Sequence, residues 1–142
     1  MENDNIITQL SMFVSNEPGR LAAIAGMLKD LGINVKAFNL AESSEFGILR
    51  TIVDDPDRAY EQIKAKGVIV KKTDMIGIAT NDSSGSLFEA ADVMAKAGIN
   101  IEYGYAYRGR DLDSLFVRVD DTEKAIGVLR KAGIQLIKRS EI

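Results

Sequence analysis

The chain contains no cysteine, no histidine and no tryptophan. Disulfides, thiolate nucleophiles, Cys/His metal sites and every Ser-His or Cys-His catalytic pair are therefore excluded together. No apolar run approaches the roughly 20 residues needed to span a bilayer. The leading MENDNIITQL is polar and acidic and lacks the basic-then-apolar order of a signal peptide, so the expected location is cytoplasmic, away from membranes. Positive charge is also in short supply: 18 Lys and Arg face 21 Asp and Glu, a net charge of −3. A chain of that sign has no general electrostatic attraction to nucleic acid or an anionic membrane. What is present, 46% hydrophobic and 27% charged residues, is the balance of an ordinary globular protein.

The chain repeats itself. Gly19 and Gly85 lie 66 residues apart, and the same offset relates Leu21 to Leu87, Gly32-Ile33-Asn34 to Gly98-Ile99-Asn100, and Val53-Asp54-Asp55 to Val119-Asp120-Asp121. It also relates Ala59 to Ala125 and Gly67 to Gly133, with no gap anywhere. Two units follow, residues 5–74 and 75–142.

Within each unit the apolar period alternates between two and 3.6 in a fixed order. Ile7 to Val14 reads as a strand, matched by Ile76, Ile78 and Thr80. Leu21, Ile24, Ala25, Leu28 and Leu31 form a helical stripe stopped by Gly32, answered by Leu87, Ala90, Ala91, Met94 and Ala97 before Gly98. Asn34–Ala41 and Phe46–Val53 make a hairpin around ESSE, repeated as Asn100–Tyr107 and Leu112–Val119 around RGRD. Asp55-Pro56 is a cap followed by proline at the first helical position, opening a helix that ends at Gly67; its copy runs from Asp121 to Gly133. Val68–Lys71 and Ile134–Ile137 close each unit as short strands. The fold class is therefore α+β: two ferredoxin-like βαββαβ units, each an antiparallel sheet with its helices on one face. A 66-residue unit buries only about 60% of its unfolded surface, so the two are expected to pack together.

Chemistry concentrates where the first strand turns into the first helix. SNEPGRL (Ser15–Leu21) and NDSSGSL (Asn81–Leu87) place a glycine at a helix start, where unpaired N–H groups and the partial positive charge of the helix receive a carboxylate or phosphate. Asn16 and Asp82 are alternatively plain helix caps. Asn34 and Asn100 open the second strand of each unit and are expected at the same end of the sheet as that loop; the alternative is a turn residue after glycine. Tyr103, Tyr105 and Tyr107 alternate along one strand and share a face. An RNA-stacking platform is disfavoured because FGILRTIV and DSLFVRVD lack the required aromatic signature, and Tyr103, in step with Ile101, is expected in a core or pocket wall. No Gly-rich nucleotide motif occurs, and Asp54-Asp55 is explained by capping, so neither cofactor nor metal is expected.

Asn-x-Pro-Gly-x-Leu at Asn16–Leu21, together with Gly-Ile-Asn-Val at Gly32 and Gly-Ile-Asn-Ile at Gly98, in the βαββαβ order, resembles a tandem pair of ACT domains, the small regulatory modules that bind amino acids. The resemblance covers nearly the whole chain. It implies a non-catalytic amino-acid sensor whose ligand lies between ACT units, contacted by the first loop of one and the strand-start Asn of another. Carried over, Asn16 matches the first role and Asn34 and Asn100 the second, and the two units are expected side by side in one continuous eight-stranded sheet. With the two loops and the tyrosine strand, the candidate ligand-binding residues are Asn16, Glu17, Pro18, Gly19, Arg20, Leu21, Asn34, Asp82, Ser84, Gly85, Ser86, Leu87, Asn100 and Tyr103. The second loop departs from the pattern, with Asp82 in place of Asn and Ser84 in place of Pro, so the Asn16 site is favoured. The implied partners are a small-molecule amino acid, a larger metabolic enzyme and a second copy in a homodimer. Two other readings stand beside the sensor: an interaction module without a ligand of its own, and an acylphosphatase-like enzyme, whose Gly-x-Val-x-Gly-x-x-Arg loop is missing.

Overall fold

The computed structural model describes residues 3–42, 46–80, 85–109 and 113–142. Its packing divides the chain into a first unit, Thr8–Thr73, and a second unit made of Met1–Ile7 with Asp74–Ile142. Six strands and four helices are present among the described residues.

The first unit contains most of β1 (Ile6–Ser15), then α1 (Arg20–Asp30), β2 (Val35–Glu42), β3 (Phe46–Val53), α2 (Pro56–Ala65) and the opening residues of β4 (Val70–Ala79). β1 and β2 both pair antiparallel with β3, which places Val14 and Glu42 on either side of Gly47. Alternation along the strands sends Leu10, Met12 and Val14 of β1 and Leu49 and Val53 of β3 to the helix side, where they bury against Leu28, Ala59 and Ile63. α2 starts as its sequence dictates: Asp55 Oδ1 accepts from the Arg58 N–H at 3.3 Å, and Pro56 sits where a missing N–H is harmless. α1 is less deeply seated than its apolar stripe suggests. Only Leu28 is buried, while Leu21 and Ala25 remain exposed.

The second unit contains the remainder of β4, then α3 (Ser86–Lys96), β5 (Ile101–Arg108), β6 (Asp113–Val119) and α4 (Thr122–Lys131). β6 lies between β4 and β5, both antiparallel to it. Ile76, Ile78, Val117 and Val119 meet Met94 of α3 and Ile126 and Leu129 of α4 in the core. Asp121 caps α4 as Asp55 caps α2, accepting from the Lys124 N–H at 3.2 Å.

Three departures from the sequence reading have local causes. Among the described residues the strand count is six rather than eight: the closing strand of the first unit and the opening strand of the second are one element, β4, and the closing segment of the second unit is not a strand. Ile134–Ile137 forms only a single bridge, Leu136 to Ile78, although Ile137 N also donates to the Gly77 carbonyl at 2.7 Å. Finally, the leading residues fold with the second unit. Buried Asn5 donates from Nδ2 to the Ile137 carbonyl at 3.1 Å and accepts from Arg130 Nη2, while Arg139 Nε donates to the Ile6 carbonyl at 2.7 Å.

Candidate functional site

The loop between β1 and α1 opens onto a cavity of about 220 Å³ within the first unit. Its walls combine apolar Val14, Leu21 and Leu40 with polar Asn16, Glu17 and Glu42, and Gly47 contributes backbone alone. The turn itself depends on Gly19, whose φ of 86° is a left-handed conformation that side chains disfavour. Gly19 occupies the position before α1, and no side chain caps the helix there; its first turn carries no acidic residue. Asn16 is thus not a helix cap. Its Nδ2 donates instead to Glu42 Oε1 at 3.0 Å, joining the loop to the end of β2. Glu17 Oε2 accepts from Arg20 Nε at 3.3 Å, an exposed pair at the turn. The helix start therefore keeps its partial positive charge without a protein anion set against it in that turn.

Asn16, Glu17 and Leu21 are brought together in this way, with Pro18, Gly19 and Arg20 forming the turn between them. Asn34 is not at the same end of the sheet, and the register shows why. Ser15 lies opposite Phe46 at one end of β3, whereas Val35, next to Asn34, lies opposite Val53 at the other. Seven residues of β3 separate these levels, roughly 24 Å at about 3.4 Å per residue. The helix carries the chain away from the first loop, so the strand after it must start at the far end. Asn34 and Asn100 are exposed there, and each engages the backbone in the same manner: the Asn34 carbonyl accepts from Asp54 N at 3.4 Å and that of Asn100 from Asp120 N at 3.2 Å.

In the second unit, Asp82 and Ser84 lie outside the described residues. Gly85 precedes α3 with φ −92°, an ordinary conformation unlike the left-handed one of Gly19. Ser86 Oγ donates to the Thr80 carbonyl at 2.6 Å and lines a cavity of about 450 Å³ between α3 and the segment after α4, alongside Phe88, Glu89 and Asp92. Leu87 is exposed. Tyr103 is displaced from its expected face by a bulge: Ile101 sits opposite Val119 but Tyr103 opposite Arg118, so Ile101 packs on the core and Tyr103 turns to the other side of the sheet. Tyr105 and Tyr107 share that side and contact Phe116, with centroids 6.1 and 5.7 Å away.

Val14, Ser15, Leu40, Ala41, Glu42 and Gly47 line the cavity but are not among the site residues expected from the sequence. Glu42 was read only as part of the polar hairpin turn. The signal was topological: β1 and β2 flank β3, so the residues beside the hairpin turn must lie level with the loop that follows β1. Among the described residues no group of three or more carboxylates is placed to hold a metal ion, and no helix is long and apolar enough to cross a membrane.

A family model described as an ACT domain pair matches residues 5–142. A crystal structure of a protein from Bacteroides thetaiotaomicron is 34% identical, with 99% of this chain and 97% of that one covered and a TM-score of 0.90. The ligand-free regulatory subunit of aspartate kinase from Thermus thermophilus is similar at 17% identity over 91% of this chain and 94% of that one, with a TM-score of 0.61. The corresponding subunit from Thermus flavus gives 18%, 89%, 90% and 0.59. At these identities the two aspartate kinase subunits share the fold. No curated protein sequence matches at a significant level. With a two-unit architecture, a 66-residue repeat and a family match over almost its whole length, the chain belongs to the family of ACT domain pairs.

Proposed function

We propose that this protein is a non-catalytic regulatory module that binds a free amino acid at the β1–α1 loop of its first unit. The observation that carries this reading is the cavity at Asn16: an uncapped helix start for a carboxylate, an amide and a carboxylate on the facing strand end, and apolar walls from Val14, Leu21 and Leu40. Backbone N–H groups at the start of α1 receive the ligand carboxylate, and the apolar walls receive its side chain. A strand-start asparagine, Asn34 or Asn100, joins such a site only from a facing copy of the fold, since Asn34 occupies the other end of its own sheet. If the ligand binds one conformational state of the protein better than another, that difference in affinity is the signal read by a partner enzyme.

The test is a thermal-shift screen of the twenty amino acids at millimolar concentration. A ligand at 100 times its Kd adds about 2.7 kcal/mol, a rise of several degrees. No shift with any of them, and none lost in Asn16→Ala, would remove the support for this reading. A second reading, a docking module without a ligand, is favoured by one observation: Phe38 and Leu40 on β2 are 65% and 46% exposed. It predicts co-purification with an enzyme and indifference to free amino acids.

A further inference from the structure

We infer that Glu42 is the ammonium-binding residue of the first unit's cavity, so that the site accepts α-amino acids and rejects the 2-oxo acids of the same side chains. This rests on the reading of the cavity as an amino-acid site and adds its chemical selectivity.

Glu42 ends β2 opposite Gly47, whose lack of a side chain leaves that part of the cavity wall to backbone. A carboxylate offers about four lone-pair positions, and Asn16 Nδ2 fills one of them at 3.0 Å. That contact fixes the carboxylate and uses one of the two Asn16 amide hydrogens, leaving its Oδ1 and the second hydrogen to a ligand. The other cavity carboxylate, Glu17, is turned to Arg20 at 3.3 Å. Apart from that second amide hydrogen, the side-chain groups available beside the loop are acceptors, and Glu42 gives them a net negative charge. An ammonium supplies three donors and a positive charge and satisfies this set. The carbonyl oxygen of a 2-oxo acid supplies neither and brings acceptor against acceptor.

The second unit does not repeat the arrangement. Sixty-six residues on, Glu42 becomes Arg108, Gly47 becomes Asp113 and Asn16 becomes Asp82. Arg108 Nε lies 3.9 Å from Asp113 Oδ1, so a cation stands where the first unit places its anion. The full chain should accordingly take one amino acid per molecule.

The experiment is isothermal titration of the full chain and of Glu42→Gln with each of the twenty amino acids, and then with the 2-oxo acid of every one that binds. Expected are one site per chain, binding of the 2-oxo acid at least tenfold weaker than of its amino acid, and loss of tenfold or more in amino-acid affinity in Glu42→Gln, about the worth of a charged hydrogen bond. The ratio between amino acid and 2-oxo acid should narrow in that variant. Glu42 is exposed, and the variant's melting temperature without ligand checks its fold; the comparison of the two ligand classes in the unaltered chain needs no variant at all. If amino acids bind but Glu42→Gln leaves both affinity and ratio unchanged, or 2-oxo acids bind as tightly, the assignment of Glu42 is overturned and the amino-acid site survives. If no amino acid binds the unaltered chain, the site reading itself fails and takes this inference with it.

Discussion

Replacing Gly77 by alanine should destabilise the protein, against the usual benefit of removing a glycine from a strand. In general that change reduces the freedom of the unfolded chain and is worth about 0.5–1 kcal/mol. A newly buried methyl group adds about 0.8 kcal/mol. At Gly77 the space is already taken: an added Cβ would lie 2.8 Å from Ile137 Cβ, 3.0 Å from its Cγ1 and 3.2 Å from Phe116 Cε1. Carbon atoms prefer about 3.5–4.0 Å. Neither neighbour can yield cheaply. Phe116 is fully buried, and Ile137 is tied to the same residue by its N–H to the Gly77 carbonyl at 2.7 Å. Overpacking of this kind costs about 1–3 kcal/mol net. For a protein of this size that corresponds to a melting temperature lower by about 3–10 °C. The matched control is Gly127→Ala in the middle of α4, where no heavy atom lies within 4 Å of the added carbon. There the helix propensity of alanine should raise stability by about 0.5–1 kcal/mol. Circular-dichroism melts of both variants decide the matter, and a Gly77→Ala protein melting at or above the parent temperature would refute the packing described on that side of β4.

Asn5→Ala should lower stability by about 1–3 kcal/mol in denaturant titrations, because it leaves the Ile137 carbonyl and Arg130 without their buried partner. Asp121→Ala removes the cap of α4 and should cost about 1 kcal/mol by the same measurement, with Asp121→Asn largely preserving it. Hydrogen bonds donated by Lys72 to Asp57 and by Lys96 to Asp92 hold both lysines above their ordinary pKa. A raised lysine stabilises the folded state fully below the unfolded value of about 10.4 and loses that contribution as pH rises through the folded one. Melting temperature should therefore show no slope from these pairs up to about pH 10, and above it should fall more steeply than in an Asp57→Asn, Asp92→Asn double variant.

Much of this architecture is legible in the residues because local signals and global fold agree. Asp55-Pro56 and Asp121 open helices where they must, and the 66-residue offset carries α1, β2, β3 and α2 onto α3, β5, β6 and α4. What escaped the sequence has a common cause, which is that the deciding fact is one of direction or of a single residue. One extra residue at the Ile101/Tyr103 bulge reverses the side on which Tyr103 stands, and parity counting cannot see it. Asn34 stands at the far end of the sheet because α1 returns the chain past the full length of β1 before β2 begins. Glu42 looked like any polar residue near a turn, and only the strand order sets it beside Asn16. The attachment of Asn5 depends on contacts with residues more than a hundred positions away, beyond the reach of any periodicity.

That attachment bears on how the chain matures on the ribosome. Thr8–Thr73 has every strand and helix of its own core once β4 begins to emerge, and can close while synthesis continues. Asn5 and Ile6 find their partners only after Arg130, Ile137 and Arg139 have been made. A segment made before the first unit is thus among the last to settle, and until Arg139 has emerged the polar groups of Asn5 and Ile6 lack these partners.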